Sequence, residues 1–202
     1  MHESGHLLAG DGGDELFGGN TRYATQKVFT HWDRVPKALR QGLIEPVLGL
    51  RGAGRVALLR KGQNYVRAAK AGLPARLHAY NLLTRLGEAH VLEPSFLKTL
   101  DAQSVAKQTD HVWGLADAQH DLDRMLAYDW RYTLAESDLP KVRGTSALAG
   151  LQVGYPMLDD ALVAFSMRLP EDYEVRGQQL RWCFTEALRG FFGVLDARFV
   201  NE

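Results

Sequence analysis

The sequence predicts a mainly α fold with one short strand near its amino end. Two observations carry this. From residue 33 onward almost every segment opens on a helix-start signal and then repeats apolar residues on one helical face. The one convincing strand is the apolar run His6-Leu7-Leu8-Ala9, which runs into a cluster of glycines.

Taken in order, His6–Ala9 reads as a buried strand, and a helix follows from near Glu15. Asp33-Arg34-Val35-Pro36 marks a helix start, with Leu39, Leu43, Ile44 and Val47 on one face. Gly52 to Gly54 break the chain. Val56, Leu58, Leu59, Tyr65, Val66 and Ala69 then outline a helix ending at Gly72. Pro74 opens another through Leu77, Tyr80, Leu83 and Leu86 to Gly87, and Glu93-Pro94-Ser95 starts a fourth. His120 to Leu134 reads as one long helix. Short elements surround Pro156, Asp159-Asp160 precede a helix that stops before Pro170, and a last helix holds Trp182, Phe184, Ala187, Leu188 and Phe191.

A chain of 202 residues suits one domain, or one domain plus an appendage. Lysine plus arginine equals aspartate plus glutamate at 24 each, so no global field favours nucleic acid or an anionic membrane. The single cysteine, Cys183, excludes an internal disulfide and fits a reducing compartment. Inside an apolar helix it reads as a small core residue. With no long apolar run and no basic-then-apolar start, a soluble cytoplasmic protein is expected.

The opening residues hold two incompatible sites. His2-Glu3-Ser4-Gly5-His6 matches the zinc-protease pattern H-E-x-x-H, which needs both histidines on one face of a real helix. Glycines at 5, 10, 12 and 13 oppose that helix, and no third ligand stands out among the other histidines. The alternative is a glycine-rich acidic turn beyond the carboxyl end of a strand, where ligands sit in open α/β sheets. Asp11 and Asp14 would there meet a phosphorylated ligand and its Mg²⁺. A plain solvated turn, with Asp14 capping the next helix, remains the bland reading. The strand also poses a question: nothing before it supplies a neighbour. Either it is no strand, or the chain is the carboxyl-terminal piece of a larger α/β protein.

Two stretches together resemble the synthetase domain of the asparagine synthetase family. Leu8 to Tyr23 (LAGDGGDELFGGNTRY) is close to the family's L-S-G-[DE]-G-[GS]-D-E-L-F-G-G-Y-x-R-Y. Leu139-Pro140-Lys141-Val142, Ser146, Pro156-Met157-Leu158-Asp159 and Glu186-Ala187-Leu188 look like its K-V-D-R-x-S-M-A…E-x-R-x-P-F-L-D segment and the helix beyond. The resemblance implies the helical carboxyl-terminal portion of an α/β synthetase domain of the adenine-nucleotide α-hydrolase type, spanning residues 1–202. It implies ATP-dependent amide formation: a carboxylate attacks the α-phosphorus of ATP, and ammonia or an amine then displaces AMP. Gly10, Asp11, Gly12, Gly13 and Glu15 would bind the nucleotide, and Asp14 would bind Mg²⁺. Lys141 and Arg181 would be catalytic cations, Arg181 standing where the family has a lysine. Arg143 and Gln152 would face the substrate.

The departures are informative. Arg143 replaces an aspartate, Gln152 a glutamate and Gly154 an arginine, while Ala9 and Asn20 replace serine and tyrosine. A changed acceptor carboxylate is the leading reading, with loss of activity competing. The family's Ser-Gly-Gly-x-Asp-Ser loop and the amino-terminal cysteine of its glutaminase domain do not occur in these residues. The chain alone is therefore expected to be inactive, its ammonia coming from a glutaminase domain not present here. Self-association through an exposed apolar face is a further expectation. A reading of another class is a helical binding or assembly module that retains the fold without the chemistry.

Overall fold

The computed structural model describes residues 5–48, 56–80, 82–101 and 103–192. His2, Glu3 and Ser4 of the zinc pattern and the chain break at Gly52–Gly54 lie outside them. The chain is mainly α with a two-stranded parallel sheet.

The elements run in order as follows. Strand β1 (His6–Leu8) leads into α1 (Gly13–Phe17) and α2 (Thr21–Arg34). The middle holds α3 (Lys37–Leu39), π-helical turns at Arg40–Ile44, α4 (Glu45–Leu48), α5 (Ala57–Lys70), a 3₁₀ stretch at Ala75–Tyr80, α6 (Leu82–Leu86), α7 (Glu88–Val91), α8 (Pro94–Leu97) and α9 (Ser104–Leu115). Then come α10 (Asp121–Asp129), π-helical turns at Trp130–Asp138, α11 (Leu139–Leu148), strand β2 (Gln152–Gly154), a 3₁₀ turn at Pro156–Leu158, α12 (Asp160–Ser166), α13 (Glu171–Glu174) and α14 (Trp182–Phe192). They form two compact units, residues 28–115 and residues 1–27 with 116–202.

In the unit of residues 28–115, the face read from Val66 and Ala69 is buried with Phe29 and Trp32. Tyr65 stacks on Phe29 at 5.1 Å between centroids and donates its hydroxyl to the Val28 carbonyl at 3.0 Å. Arg76 closes the end of α5: Nε donates to the carbonyls of Ala68 (2.9 Å) and Ala71 (2.7 Å), and Nη2 to Ala69 (2.9 Å). These are carbonyls that a helix end leaves without backbone partners. The guanidinium also covers the Phe29 ring at 4.5 Å.

The other unit carries every candidate site residue. Leu16, Phe17, Tyr23, Leu122, Met125, Leu126, Leu134 and Val175 form its buried interior. α1 packs against α10, α12 and α14. β1 does have a partner: β2 pairs with it in parallel, in the register His6–Gln152, Leu7–Val153 and Leu8–Gly154. The strand is not buried as expected: among the described residues only one of its edges is paired, and Leu8 is 73% exposed.

Several helices differ from the sequence reading. Asp33 and Arg34 end α2 rather than opening the next helix, and Pro36 caps α3. The helix expected over His120–Leu134 continues to Leu148, widened by π turns at Trp130–Asp138. Pro140 supplies the reason: it has no N–H to donate, and in an unbroken α-helix its ring would meet the Glu136 carbonyl. Asp14 is no helix cap. The N-cap of α1 is Gly12, whereas Asp159 does cap α12, accepting from the amides of Ala161 and Leu162.

Behind α1, Glu174 is buried with Oε2 lacking a hydrogen-bond partner among the described residues. Burial first, then Asp123 and Glu171, push its carboxyl up to about 8, against the pull of Lys27. The folded chain holds this proton up to about pH 8, while the unfolded chain releases it near 4.5. Stability from this group is therefore present below 4.5 and lost as pH rises through 8. Glu174→Gln should flatten that fall and melt higher than the parent at pH 8.5, by roughly 2–4 °C per kcal/mol relieved. Thermal unfolding at pH 5 and 8.5 checks this; parallel pH curves for the two proteins would contradict it.

Candidate functional site

The site is the glycine-rich turn between β1 and α2. It leaves the sheet at Ala9, whose amide donates to the Gly154 carbonyl at 3.0 Å. Gly12 takes φ +94, and a Cβ there would lie 2.3 Å from Leu158 Cδ2. Glycine is thus required twice, by backbone hand and by space. The side at Gly10 is different: nothing lies within 4 Å of a Cβ built on it, so the turn is open there. The last two glycines, 18 and 19, end α1 and bring the chain back beneath its own first turn. The Gly19 amide donates to the Asp14 carbonyl at 2.9 Å.

Asp14 and Arg181 meet across this loop. Arg181 Nη2 donates to Asp14 Oδ1 at 2.5 Å, the two side chains half-exposed. A Cβ on Gly19 would fall 2.1 Å from Asp14 Oδ1 and 2.2 Å from Arg181 Nε, so Gly19 leaves the space the pair occupies. Arg181 has φ +51, a left-handed conformation costly for any residue with a Cβ. Its carbonyl accepts from the Thr185 amide at 2.8 Å, which places it at the entry to α14.

The other predicted residues are placed as follows. Lys141, exposed on α11, donates to Asp138 Oδ1 at 2.6 Å, and its ammonium is held above its ordinary range first by that bond, with Asp11 adding to the effect. Asp11 and Lys141 are therefore within electrostatic reach. Glu15 is buried rather than facing a ligand; burial first, then the Asp14, Asp129 and Asp138 charges, raise its carboxyl. Its carbonyl accepts from Trp130 Nε1 at 3.2 Å, tying α1 to the π-helical turns. Gly13 lies beneath Met157. Arg143 and Gln152 are both exposed, Gln152 with its amide committed to the Gly5 carbonyl at 3.0 Å. His6 sits in a strand, not on a helix, and Cys183 is half-buried on α14.

The sequence reading missed the support of this site. Tyr23 donates its hydroxyl to Asp129 Oδ2, while Arg22 Nη2 pairs with Asp129 Oδ1 at 2.5 Å and donates to Thr133 Oγ1 at 3.1 Å. Asp129 is buried, which raises its carboxyl, and Arg22 opposes the shift. The Arg22-Tyr23 dipeptide was visible as part of the motif, but its distant acceptor was not.

The sequence profile of one family, asparagine synthase, matches residues 2–196. The chain belongs to the asparagine synthase family. No curated protein and no solved structure matches it. For this asparagine synthase family chain, the family establishes ATP-dependent amide ligation as the general chemistry. Among the described residues no helix is long and apolar enough to cross a membrane.

The residues do not fit a protein-held Mg²⁺. No three carboxylate, histidine or cysteine side chains among the described residues gather around a common point. One oxygen of Asp14, the carboxylate expected to bind the metal, already accepts from a guanidinium. The turn is open at Gly10, and two cations, Lys141 and Arg181, belong to the same unit.

The glycines give an asymmetric expectation. Gly12→Ala should cost about 2–4 kcal/mol, combining left-handed strain with overpacking on Leu158. Gly10→Ala should change stability by less than about 0.5 kcal/mol. Denaturant unfolding of both variants checks the contrast, and equal losses would show that the turn is not built as described.

Proposed function

We propose that this chain is part of an ATP-dependent amide ligase and that its Gly10–Gly13 turn receives the nucleotide's phosphates. The observation that supports the reading most directly is the open face at Gly10, beside Asp11 and within the unit that supplies Lys141 and Arg181. ATP supplies activation of a carboxylate by adenylation, with release of pyrophosphate. The chain's own part is electrostatic. Lysine and arginine offset the charge that gathers on a departing pyrophosphate, and they do so best when held in place beforehand. Asp138 orients Lys141, and Asp14 orients Arg181. An arginine in this place offers a fork of donors to developing charge.

In this reading Asp11 and Gly10 to Gly13 line the nucleotide, while buried Glu15 holds the turn from behind. Mg²⁺ belongs to it only as an ion carried on the nucleotide's own phosphates. The acceptor is a carboxylate other than aspartate, a view supported by exposed Arg143 and Gln152 standing where the family has acidic residues. Nitrogen comes from ammonia released elsewhere.

Two measurements test the proposal. ATP titrated into the isotope-labelled chain should shift the amides of Gly10 to Gly13, and Lys141→Ala should weaken that binding about fivefold to thirtyfold. Shifts confined to other residues would sink the assignment. AMP release assayed with ammonia and a panel of carboxylates should be absent for these 202 residues alone; turnover by them would overturn the view that the catalytic site is shared with further protein.

A further inference from the structure

The family resemblance places a metal ion at Asp14, yet the structure places a cation of the protein's own there. Arg181 Nη2 donates to Asp14 Oδ1 at 2.5 Å. Three features show that the local structure is built around this pair. Arg181 holds φ +51, a conformation disfavoured for every residue with a Cβ, at the one turn where its side chain reaches back to α1. Gly19 leaves the gap in which the pair lies, since a Cβ there would come within 2.2 Å of both partners. Arg181 Nε is buried without a hydrogen-bond partner among the described residues, so the guanidinium gives up one bond to keep this position.

We infer that Arg181 is the resident cation of Asp14 and takes the place of a protein-bound Mg²⁺, so that a phosphate arriving at the turn meets a guanidinium. A fixed positive charge adjoining the carboxylate repels a divalent ion at the same oxygens. A guanidinium also gives a phosphate planar, directed hydrogen bonds, and Nη1 carries donors beyond the one spent on Asp14. The role assigned to the phosphate rests on the nucleotide reading above. The exclusion of metal from Asp14 does not, and it is tested on the chain without nucleotide.

The experiment is a Mn²⁺ titration of the isotope-labelled chain, following paramagnetic broadening of the amides of Asp11 to Gly19. The parent should show no selective broadening. Arg181→Met should broaden those amides at about tenfold less Mn²⁺ or lower still. Arg181→Lys, which retains the charge, should stay close to the parent, and Asp14→Asn placed in the Arg181→Met background should abolish the effect. Gly19→Ala opens the same pair by a second route without touching its charges. It should also admit Mn²⁺, which guards against an Arg181→Met chain that fails to fold.

Equal broadening in the parent and in both opened variants would overturn the inference, because the pair would then exclude nothing. Absence of broadening in both opened variants would overturn it as well, because Asp14 would not be a metal position for Arg181 to fill. A parallel titration with inorganic pyrophosphate in EDTA addresses the phosphate separately. Shifts at Gly10 to Gly13 that vanish in Arg181→Met support the guanidinium as the anion's partner. Shifts unchanged in Arg181→Met overturn that part, and no shifts at all count against the nucleotide reading while leaving the metal result to stand by itself.

Discussion

The buried carboxylate of Asp129 is the constraint on which the site-bearing unit depends. A charge taken out of water is costly unless each of its oxygens is bonded, and Asp129 uses Tyr23, Arg22 and Thr133 to do so. Arg22 and Tyr23 open α2, so this one group fixes where the glycine-rich segment must end. Where it begins is fixed by the pairing of β1 with β2 and by the bond from Ala9 to Gly154. Between those anchors α1 has little freedom. Trp130, one residue beyond Asp129, holds the Glu15 carbonyl from the same side.

Within that frame the charges of the turn are arranged by space as much as by attraction. A half-exposed ion pair such as Asp14 with Arg181 contributes little stability by itself, about 0–1 kcal/mol. The backbone conformation at Arg181 costs a comparable amount or more. Stability is therefore a poor reason for the arrangement, and placing a cation beside the turn is a better one. Asp138, just before α11, and Lys141 in its first turn repeat the pattern, with the lysine exposed and close enough to feel Asp11.

What the sequence made legible was local. The acidic glycine turn, the strand before it, Pro94 at a helix start and the helix after Asp159-Asp160 all depend on residues within a few positions of one another. What it concealed was conferred from a distance. Gln152-Val153-Gly154 has no strand character of its own and becomes β2 only because β1 lies beside it. Helix α2 lacks a clean apolar stripe because Arg22 and Gln26 sit inward among buried groups, Arg22 being committed to Asp129. Among the candidate residues, the resemblance singled out both Asp14 and Arg181, yet nothing in either neighbourhood indicates that they touch. The burial of Glu15 was hidden likewise, since a glutamate in an acidic turn looks solvated until its helix is packed.

The span between Asp14 and Arg181 is 167 residues. A ribosome adds roughly 5–20 residues each second, so the turn emerges many seconds before the arginine that completes it. In that interval the acidic loop has no counterion from α14, and for most of it β1 lacks β2. The intervening helices form from near neighbours and need not wait, whereas the turn closes only after the longest loops in the chain have been brought together. Of the two partners, Asp14 is made long before the arginine that completes its site.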